Sequence, residues 1–433
     1  MAWNRHGRSV RKHLLFICEN RQEVSSLIPI ANEIRELSCG LIQCSFASQD
    51  ALYCQGVNEA LQEAGMEVCL LPYPVRLPKP FAFNRMIQRF RVWVLLATNR
   101  QIAQVMQYYD GLVCGVDSTP ARMLIAEARR LGKPSFQVIV SLYFGPDHLP
   151  LIDRYLKRAK YLLRSGLGLL LKTDFLALPN RIAGSGCDRI FVMGKRVKEA
   201  LVRDGVPEKS VLVCGVPRFQ RLFALSKARK ILHQPRKTID ILYISGSYVS
   251  HGMSTQHKLQ QRQIQEIIEY LSRSGLGRYR LIVKIHPRES KEYYTWLTKY
   301  PGLVRVVQGN TDPYKAILNS HVVVTICSTL SYEAILLNRP VIIAVFPSPE
   351  LLSYRYLVND FPVADSIQAL MEYIAKISDD MSFYTSVVED TLQRVWDVID
   401  PKTPESASLI ARQICTDMEI DYICRARPDF ADS

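Results

Sequence analysis

The sequence predicts an α/β protein made of two successive halves, each a parallel sheet covered by helices. Three observations carry that prediction. Short apolar runs without polar alternation recur along the chain, as expected of strands buried on both faces. Segments with helical spacing separate these runs. The alternation yields to a polar, basic stretch between about Arg221 and Thr238, dividing the 433 residues into two parts of roughly 200 each, near the size at which single cores stop growing.

In the first half, the buried run HLLFICEN (13–20) precedes helical spacing over 24–37, a strand at 41–48, and a helix at 57–65 that Gly65 stops. A strand over 66–73, a long helical region near 82–108, the strand GLVCGV (111–116), a helix over 121–132 and the strand PSFQVIVS (134–141) follow. Residues 142–188 break the rhythm by mixing Leu and Tyr with Lys and Arg; it resumes with RIFVMG (189–194), a helix over 195–205, and VLVCGVPRF (211–219).

The second half repeats the scheme. ILYISG (241–246), a helix over 256–274, YRLIVKIHP (279–287), RVVQG (305–309), a helix over 313–320, HVVVTIC (321–327), a helix over 329–338 and VIIAVF (341–346) alternate in order. Helical spacing returns at 366–377 and 381–420, with a break at Pro401 and Pro404. The expected division is a first domain over 1–222 with a basic insert at 142–188, a second over 238–400, and a tail over 401–433 that returns to the first.

Composition narrows the class. Hydrophobic content of 48% with 22% charged residues describes a folded chain rather than a disordered one. The eleven cysteines stand singly, without a CxxC pair or Cys/His ligand spacing, which favours buried thiols in a reducing compartment over zinc or disulfides. The apolar run LLFIC is too short for a signal peptide, and no stretch approaches a membrane span, so a cytoplasmic location is expected. Lys and Arg exceed Asp and Glu by 55 to 41, favouring phosphorylated substrates or an anionic bilayer as partners. No nucleic-acid motif accompanies the charge, and nucleic acid is not expected. The basic amphipathic stretches 83–101 and 154–172 would either rest on a membrane or pack as core helices with a solvated charged face.

Chemistry concentrates at two strand ends. In 279–287 the apolar run ends at Lys284, His286 and Pro287, followed by Arg288; Pro287 holds the histidine in extended geometry, and an imidazole between two cations suits a phosphate oxygen. A capped structural histidine is the alternative. In the other, Ser328, Thr329 and Ser331 place hydroxyls at a helix start, with Glu333 one turn on as an acceptor for ribose hydroxyls; Ser328 as a simple helix cap is compatible with this. Gly246, between Ser245 and Ser247, either admits a phosphate or makes a plain turn. In the first half, Asp117 and, second, Glu19 stand at strand ends as candidate general bases, with helix capping the equal alternative for Asp117. No metal cluster or cofactor motif is evident.

Together, KIHPRES (284–290), DPYKAILNSHVVVT (312–325) and STLSYEAILLNRPVI (328–342) resemble the C-terminal nucleotide domain of GT-B proteins. The resemblance extends to the UDP-N-acetylglucosamine 2-epimerase group and to bacterial capsule and cell-wall transferases with an HP motif, among them polysialyltransferases, Kdo transferases and CDP-glycerol glycerophosphotransferases. GVDSTPARMLIAEARRLGKP (115–134) resembles the epimerase segment in which an Asp follows a strand, and VLVCGVPRF resembles the Gly-x-Pro turn closing GT-B N-domains. Two departures count against epimerisation: Val140-Ser141-Leu142-Tyr143 stands where epimerases carry Glu-Ala-Gly-Leu-Arg, and Cys327-Ser328-Thr329-Leu330 where they carry Asp-Ser-Gly-Gly. The latter resembles the paired Ser/Thr motif of CMP-sugar users.

The resemblance implies a metal-independent, inverting glycosyltransferase. A CMP- or UDP-linked sugar would be held by Gly246, Ser247, Lys284, His286, Pro287, Arg288, Ser328, Thr329, Ser331 and Glu333. The acceptor would be a cell-envelope polysaccharide or glycolipid, met on the inner membrane face. The alternatives are an epimerase-like enzyme and a non-catalytic glycan- or membrane-binding relative.

Overall fold

The structure is a computed structural model that describes residues 11–48, 56–70, 101–140, 151–177, 183–228, 238–249, 253–273, 277–309, 311–326, 328–348 and 355–420. The chain forms two compact units. One holds the residues up to Gln220 together with those from Val398; the other is Arg221–Asp397.

The first unit is a seven-stranded parallel sheet of β1 (Lys12–Cys18), β2 (Ile42–Ser48), β3 (Val68–Leu70), β4 (Gly111–Cys114), β5 (Ser135–Val138), β6 (Arg189–Val192) and β7 (Val211–Val213), in the order β3-β2-β1-β4-β5-β6-β7. Leu14, Leu15, Phe16 and Cys18 are fully buried, because helices on both faces leave a central strand no solvated side. Its helices are α1 (Arg21–Leu37), α2 (Val57–Glu63), α3 (Thr119–Arg130), α4 (Leu151–Leu170), α5 (Asp174–Ala177) and α6 (Lys195–Arg203). In α1, Asn20 accepts from the Glu23 amide at 3.0 Å, a cap of about 1 kcal/mol. Val24, Leu27, Ile30, Ala31 and Ile34 recur at helical spacing and form its buried face.

The second unit begins with α7 (Gln220–Ala228) and is a six-stranded parallel sheet of β8 (Ile239–Ile244), β9 (Tyr279–Lys284), β10 (Val304–Val307), β11 (Val322–Thr325), β12 (Val341–Ala344) and β13 (Val363–Ala364). The order is β10-β9-β8-β11-β12-β13. Its helices are α8 (Ser254–Arg273), α9 (Pro313–Asn319), α10 (Leu330–Leu336), α11 (Arg355–Asp360), α12 (Ile367–Asp379) and α13 (Met381–Val395). The last helix, α14 (Ser406–Asp417), belongs to the first unit, where it packs on α1; Arg189 of β6 reaches Asp417 at 2.9 Å, and Lys12 of β1 donates to the Met418 carbonyl.

The structure departs from the sequence reading in three places. The polar stretch after Phe219 opens as helix rather than linker, because Leu222 is buried and Phe223 stacks on Trp396 with ring centroids 6.0 Å apart. Short β13 and α11 lie where no element was expected; two residues of strand carry no readable period. A 3-10 helix at Lys291–Lys299 was likewise unforeseen. The expected helix near 82–108 and the basic stretch 83–101 fall almost entirely outside the described residues; its described end is helical at Gln101–Gln104 and 3-10 at Val105–Tyr108.

Candidate functional site

Both sheets reverse winding direction between their third and fourth strands in space, β1 and β4 in one unit, β8 and β11 in the other. Ligands of open α/β sheets collect at such points, beyond the carboxyl ends of the strands. In the second unit, Ile244 pairs in register with Lys284 on one side and Thr325 on the other. The segments beyond them are Ser245–Ser247, His286–Glu289 and the stretch containing Ser328 and Thr329. Register alone therefore brings the two motifs beside one another.

Hydrogen bonds stitch the loops after β8 and β9. The Ser245 amide donates to the Lys284 carbonyl at 3.1 Å, and the His286 amide donates to Ser245 Oγ at 2.9 Å. His286 Nδ1 accepts from the Arg288 amide at 3.1 Å, and the His286 carbonyl accepts from the Glu289 amide at 2.9 Å. An Nδ1 that accepts leaves the ring proton on Nε2, so the neutral imidazole presents an Nε2–H donor. A second proton on Nδ1 would face the Arg288 amide hydrogen. Arg288 and Pro287 are exposed and His286 is half-buried.

Other predicted contacts are engaged within the protein. Lys284 is 3% exposed and its Nζ donates to the carbonyls of Gly309 at 3.1 Å and Gln308 at 3.4 Å; burial lowers its pKa, with Asp312 opposing. The Gly246 amide donates to Gln260 Oε1 at 2.6 Å, and a Cβ on Gly246 would meet the Tyr248 ring at 2.8 Å. That glycine is required by the ring beneath it. Ser247 is half-buried. Glu333 is 3% exposed and its Oε2 accepts from the Tyr314 hydroxyl at 2.7 Å, so this oxygen is already engaged within the fold.

At the β11 end, the Leu330 amide donates to Ser328 Oγ at 3.3 Å, and Thr329 occupies the N-cap of α10 without a side-chain cap bond. Thr329 is exposed and Ser328 half-buried. Ser331 is fully buried and its Oγ has no hydrogen-bond partner among the described residues.

Residues that sequence reasoning left without a role hold this arrangement. Gln260 bridges the Gly246 amide to the Tyr294 hydroxyl, the latter at 3.0 Å, and burial pushes that phenol up to about 12. Gln260 and Gln263 sit on the α8 face that carries Ile264, Ile267, Ile268 and Leu271; polar residues at buried helical spacing were the available signal. The Glu289 carboxylate is fully buried, accepts from the Val249 amide at 2.9 Å and lies 3.6 Å from His257 Nδ1, tying the loop after β8 to the His286 turn. Gly309 lets two backbones touch: a Cβ there would lie 2.7 Å from Pro287 Cα and 2.9 Å from the His286 carbonyl oxygen.

The strand ends of the first unit are arranged differently. Asp117 pairs with Arg122 at 2.6 Å, with side chains 6% and 4% exposed, and the Gly184 amide donates to the same Oδ2 at 3.1 Å. Desolvation raises the Asp117 pKa against the pull of Arg122. The helix cap is instead Ser118, which accepts from the Ala121 amide at 3.2 Å, so Asp117 is not the cap that the sequence allowed. Glu19 is half-buried, and its amide donates at 2.8 Å to Glu23. Glu23, absent from the sequence-based candidates, is fully buried and also takes the Asn20 side-chain amide; burial first, then Glu19 nearby, raises its pKa to about 8. A Cβ at Gly115 would collide with the Glu23 side chain, so the loops after β1 and β4 meet at this carboxyl. The Asn20-x-x-Glu23 spacing of a capping box was its legible signal. Among the described residues no group of three or more His, Cys, Asp or Glu is placed to hold a metal ion.

Two parallel Rossmann-type sheets in one chain define the GT-B class, and whole-chain likenesses agree. The UDP-N-acetylglucosamine 2-epimerase of Neisseria meningitidis, solved with UDP-GlcNAc, has a TM-score of 0.59 at 13% identity, over 93% of this chain and 100% of that one. The glycotransferase of kitacinnamycin gives 0.58 at 16%, over 94% and 99%, and an Anabaena protein solved with UDP and glucose gives 0.53 at 13%, over 94% and 98%. At such identities these likenesses speak for the fold. The family is defined by sequence: the model of CDP-glycerol:poly(glycerophosphate) glycerophosphotransferases matches residues 190–414, more than half the chain, and the chain belongs to that family. No curated protein sequence matches it.

Proposed function

We propose that the protein is a transferase that uses a cytidine-nucleotide donor and moves a glycerol-phosphate or related polyol-phosphate group to a hydroxyl of a cell-envelope glycan or lipid-linked polymer. The observation that carries this reading is that the family match spans both His286 and the Ser328–Thr329 loop, which the β8–β9 and β8–β11 register brings side by side.

In this reading the acceptor oxygen attacks the outer phosphorus of the donor, the new P–O bond forms, and the bond to CMP breaks with CMP taking the electron pair. His286 Nε2–H would hydrogen-bond the leaving phosphate, and exposed Arg288 would add positive charge to it, without recourse to a metal ion. Ser328 and Thr329 would hold the nucleotide phosphate. The acceptor proton needs a base, for which Asp117, here paired with Arg122, and Glu19 are the candidates. The cytoplasmic face of the membrane is the expected place of work.

Thermal unfolding with CMP, CDP, UDP and GDP tests the donor, since a ligand at about 100 times its Kd stabilises by about 2.7 kcal/mol. Stabilisation by CMP and CDP, with CMP released from CDP-glycerol, supports the proposal. Release of UDP from UDP-linked sugars would instead support the sugar-transfer expectation. The alternative epimerase reading, with which the shared fold is equally compatible, would show as conversion of UDP-GlcNAc without an acceptor.

A further inference from the structure

The loop after β8 meets both parts of the candidate site. Its Tyr248 is buried against Ile326, with Met253 and Leu259 packed around the pair. Ile326 follows β11 directly and stands two residues before Ser328. The next residue of the loop, Val249, gives its amide to Glu289 Oε1 at 2.9 Å, and Glu289 lies three residues past His286. One short segment therefore spaces the His286 turn from the Ser328–Thr329 loop, and a carboxylate holds it.

A buried carboxylate needs both oxygens satisfied. The Glu289 side chain is wholly buried, and its Oε2 has no hydrogen-bond partner among the described residues. The same is true of His257 Nδ1, which stands 3.6 Å away. Neighbours fix the proton on that ring. The Trp296 indole N–H, which can only donate, gives to Gln261 Oε1 at 2.7 Å. This turns the Gln261 amide nitrogen toward His257 Nε2, 3.4 Å away and one turn back along α8. An amide nitrogen donates, so Nε2 accepts, and the neutral ring carries its proton on Nδ1, facing Glu289 Oε2. The rings of Tyr293 and Tyr294 meet the imidazole edge-on, with centroids 5.1 and 6.2 Å from it. His257 and His286 thus carry their protons on opposite nitrogens.

We propose that Glu289 and His257 are positioning residues for His286. The His257 Nδ1–H orients the carboxylate so that its other oxygen meets the Val249 amide, and that bond sets the His286 turn against the loop that Tyr248 anchors beside Ser328. The part this plays in turnover rests on the transferase reading; the arrangement of the loops does not.

Selective 15N labelling of the eight histidines in the full chain reads both rings, and the signals lost in His257→Phe and His286→Ala assign them. The wild type is expected to show the His257 proton on Nδ1 and the His286 proton on Nε2. In Glu289→Gln a single acceptor oxygen faces two donors, the Val249 amide and the His257 Nδ1–H, so the new amide nitrogen must oppose one of them. Below the melting transition, His286 should then move toward the tautomer mixture of a free imidazole, and kcat should fall about ten- to a hundredfold. His257→Phe keeps a ring in the aromatic cluster and should shift the His286 signals in the same direction; it carries the test should Glu289→Gln not fold. Losses should not add: His286→Ala/Glu289→Gln should turn over no more slowly than His286→Ala.

A His257 proton on Nε2 in the wild type, wild-type His286 signals in either folded variant, or additive losses would each overturn the proposal. A merely structural Glu289 would lower the melting temperature and leave those signals in place. The signals need no substrate, which separates the two readings. If they respond as expected in a protein that releases no CMP from CDP-glycerol, the transferase reading falls and this one stands; CMP release with unresponsive signals does the reverse.

Discussion

The two sheets share one winding order, yet their strand ends are built for opposite purposes. In the first unit the carboxyls after β1 and β4 are spent inside the protein: Glu23 on the Glu19 amide and Asn20, Asp117 on Arg122 and Gly184. In the second unit the buried polar groups serve the backbone, through Ser245, Gln260, Glu289 and Lys284, and leave His286, Arg288, Ser328 and Thr329 with exposed or half-buried side chains. Topology supplies the place for a site. Which side chains are left facing outward decides whether the place can offer groups to a ligand.

The largest expected effect tests the closed end. Asp117→Ala leaves Arg122 and Arg164 buried near each other without their carboxylate, and should cost about 3 to 5 kcal/mol of stability in denaturant unfolding. A variant with wild-type stability but abolished turnover would move Asp117 from anchor to base and break the contrast between the units.

Next comes the open end. His286→Ala is expected to lower kcat by about 10² to 10³, roughly 3 to 4 kcal/mol, as loss of one preorganised donor does. The melting temperature should hold, because the His286 amide bond to Ser245 does not need the ring. Unchanged turnover would sink the assigned role.

A pH effect distinguishes Glu23 from an ordinary cap. Its folded pKa, about 8, lies above the usual 4.5, so the folded state holds one more proton between these values and stability should fall as pH rises from about 4.5 to 8. Glu23→Gln should flatten that decline by about 3 to 4 kcal/mol, read from unfolding midpoints at pH 5 and pH 8. An identical slope in the variant would show that the carboxyl is not the titrating group.

Gly309→Ala probes the backbone contact behind His286. The added methyl meets Pro287 and the His286 carbonyl, so a shift costing about 1 to 3 kcal/mol is expected. If turnover falls more than that stability loss explains, the contact also positions His286; if both stay at wild-type values, the close approach is not maintained in solution.

The alternating pattern made the two sheets legible, since a strand buried on both faces must be apolar throughout. The same logic hid α7, whose polar surface outweighs Leu222 and Phe223 in the sequence, and β13, too short for any pattern. At the site, His286 and Ser328 were readable because each stands where an apolar run stops. Gln260 and Glu289 were harder to read: a buried glutamine looks like a solvated one until its partner is known.

Local periodicity and a few terminating residues therefore determined the class of fold and the strand ends at which polar side chains gather. Only tertiary structure decided which polar groups there are consumed and which remain. The reason is physical: strand and helix patterns act over a few residues, whereas the bonds that fix the site join Ser245 to His286 and Asp117 to Gly184, partners 41 and 67 positions apart. Tertiary structure alone also turned Leu162, Leu163, Leu169 and Leu170 of α4 outward and Arg164 inward.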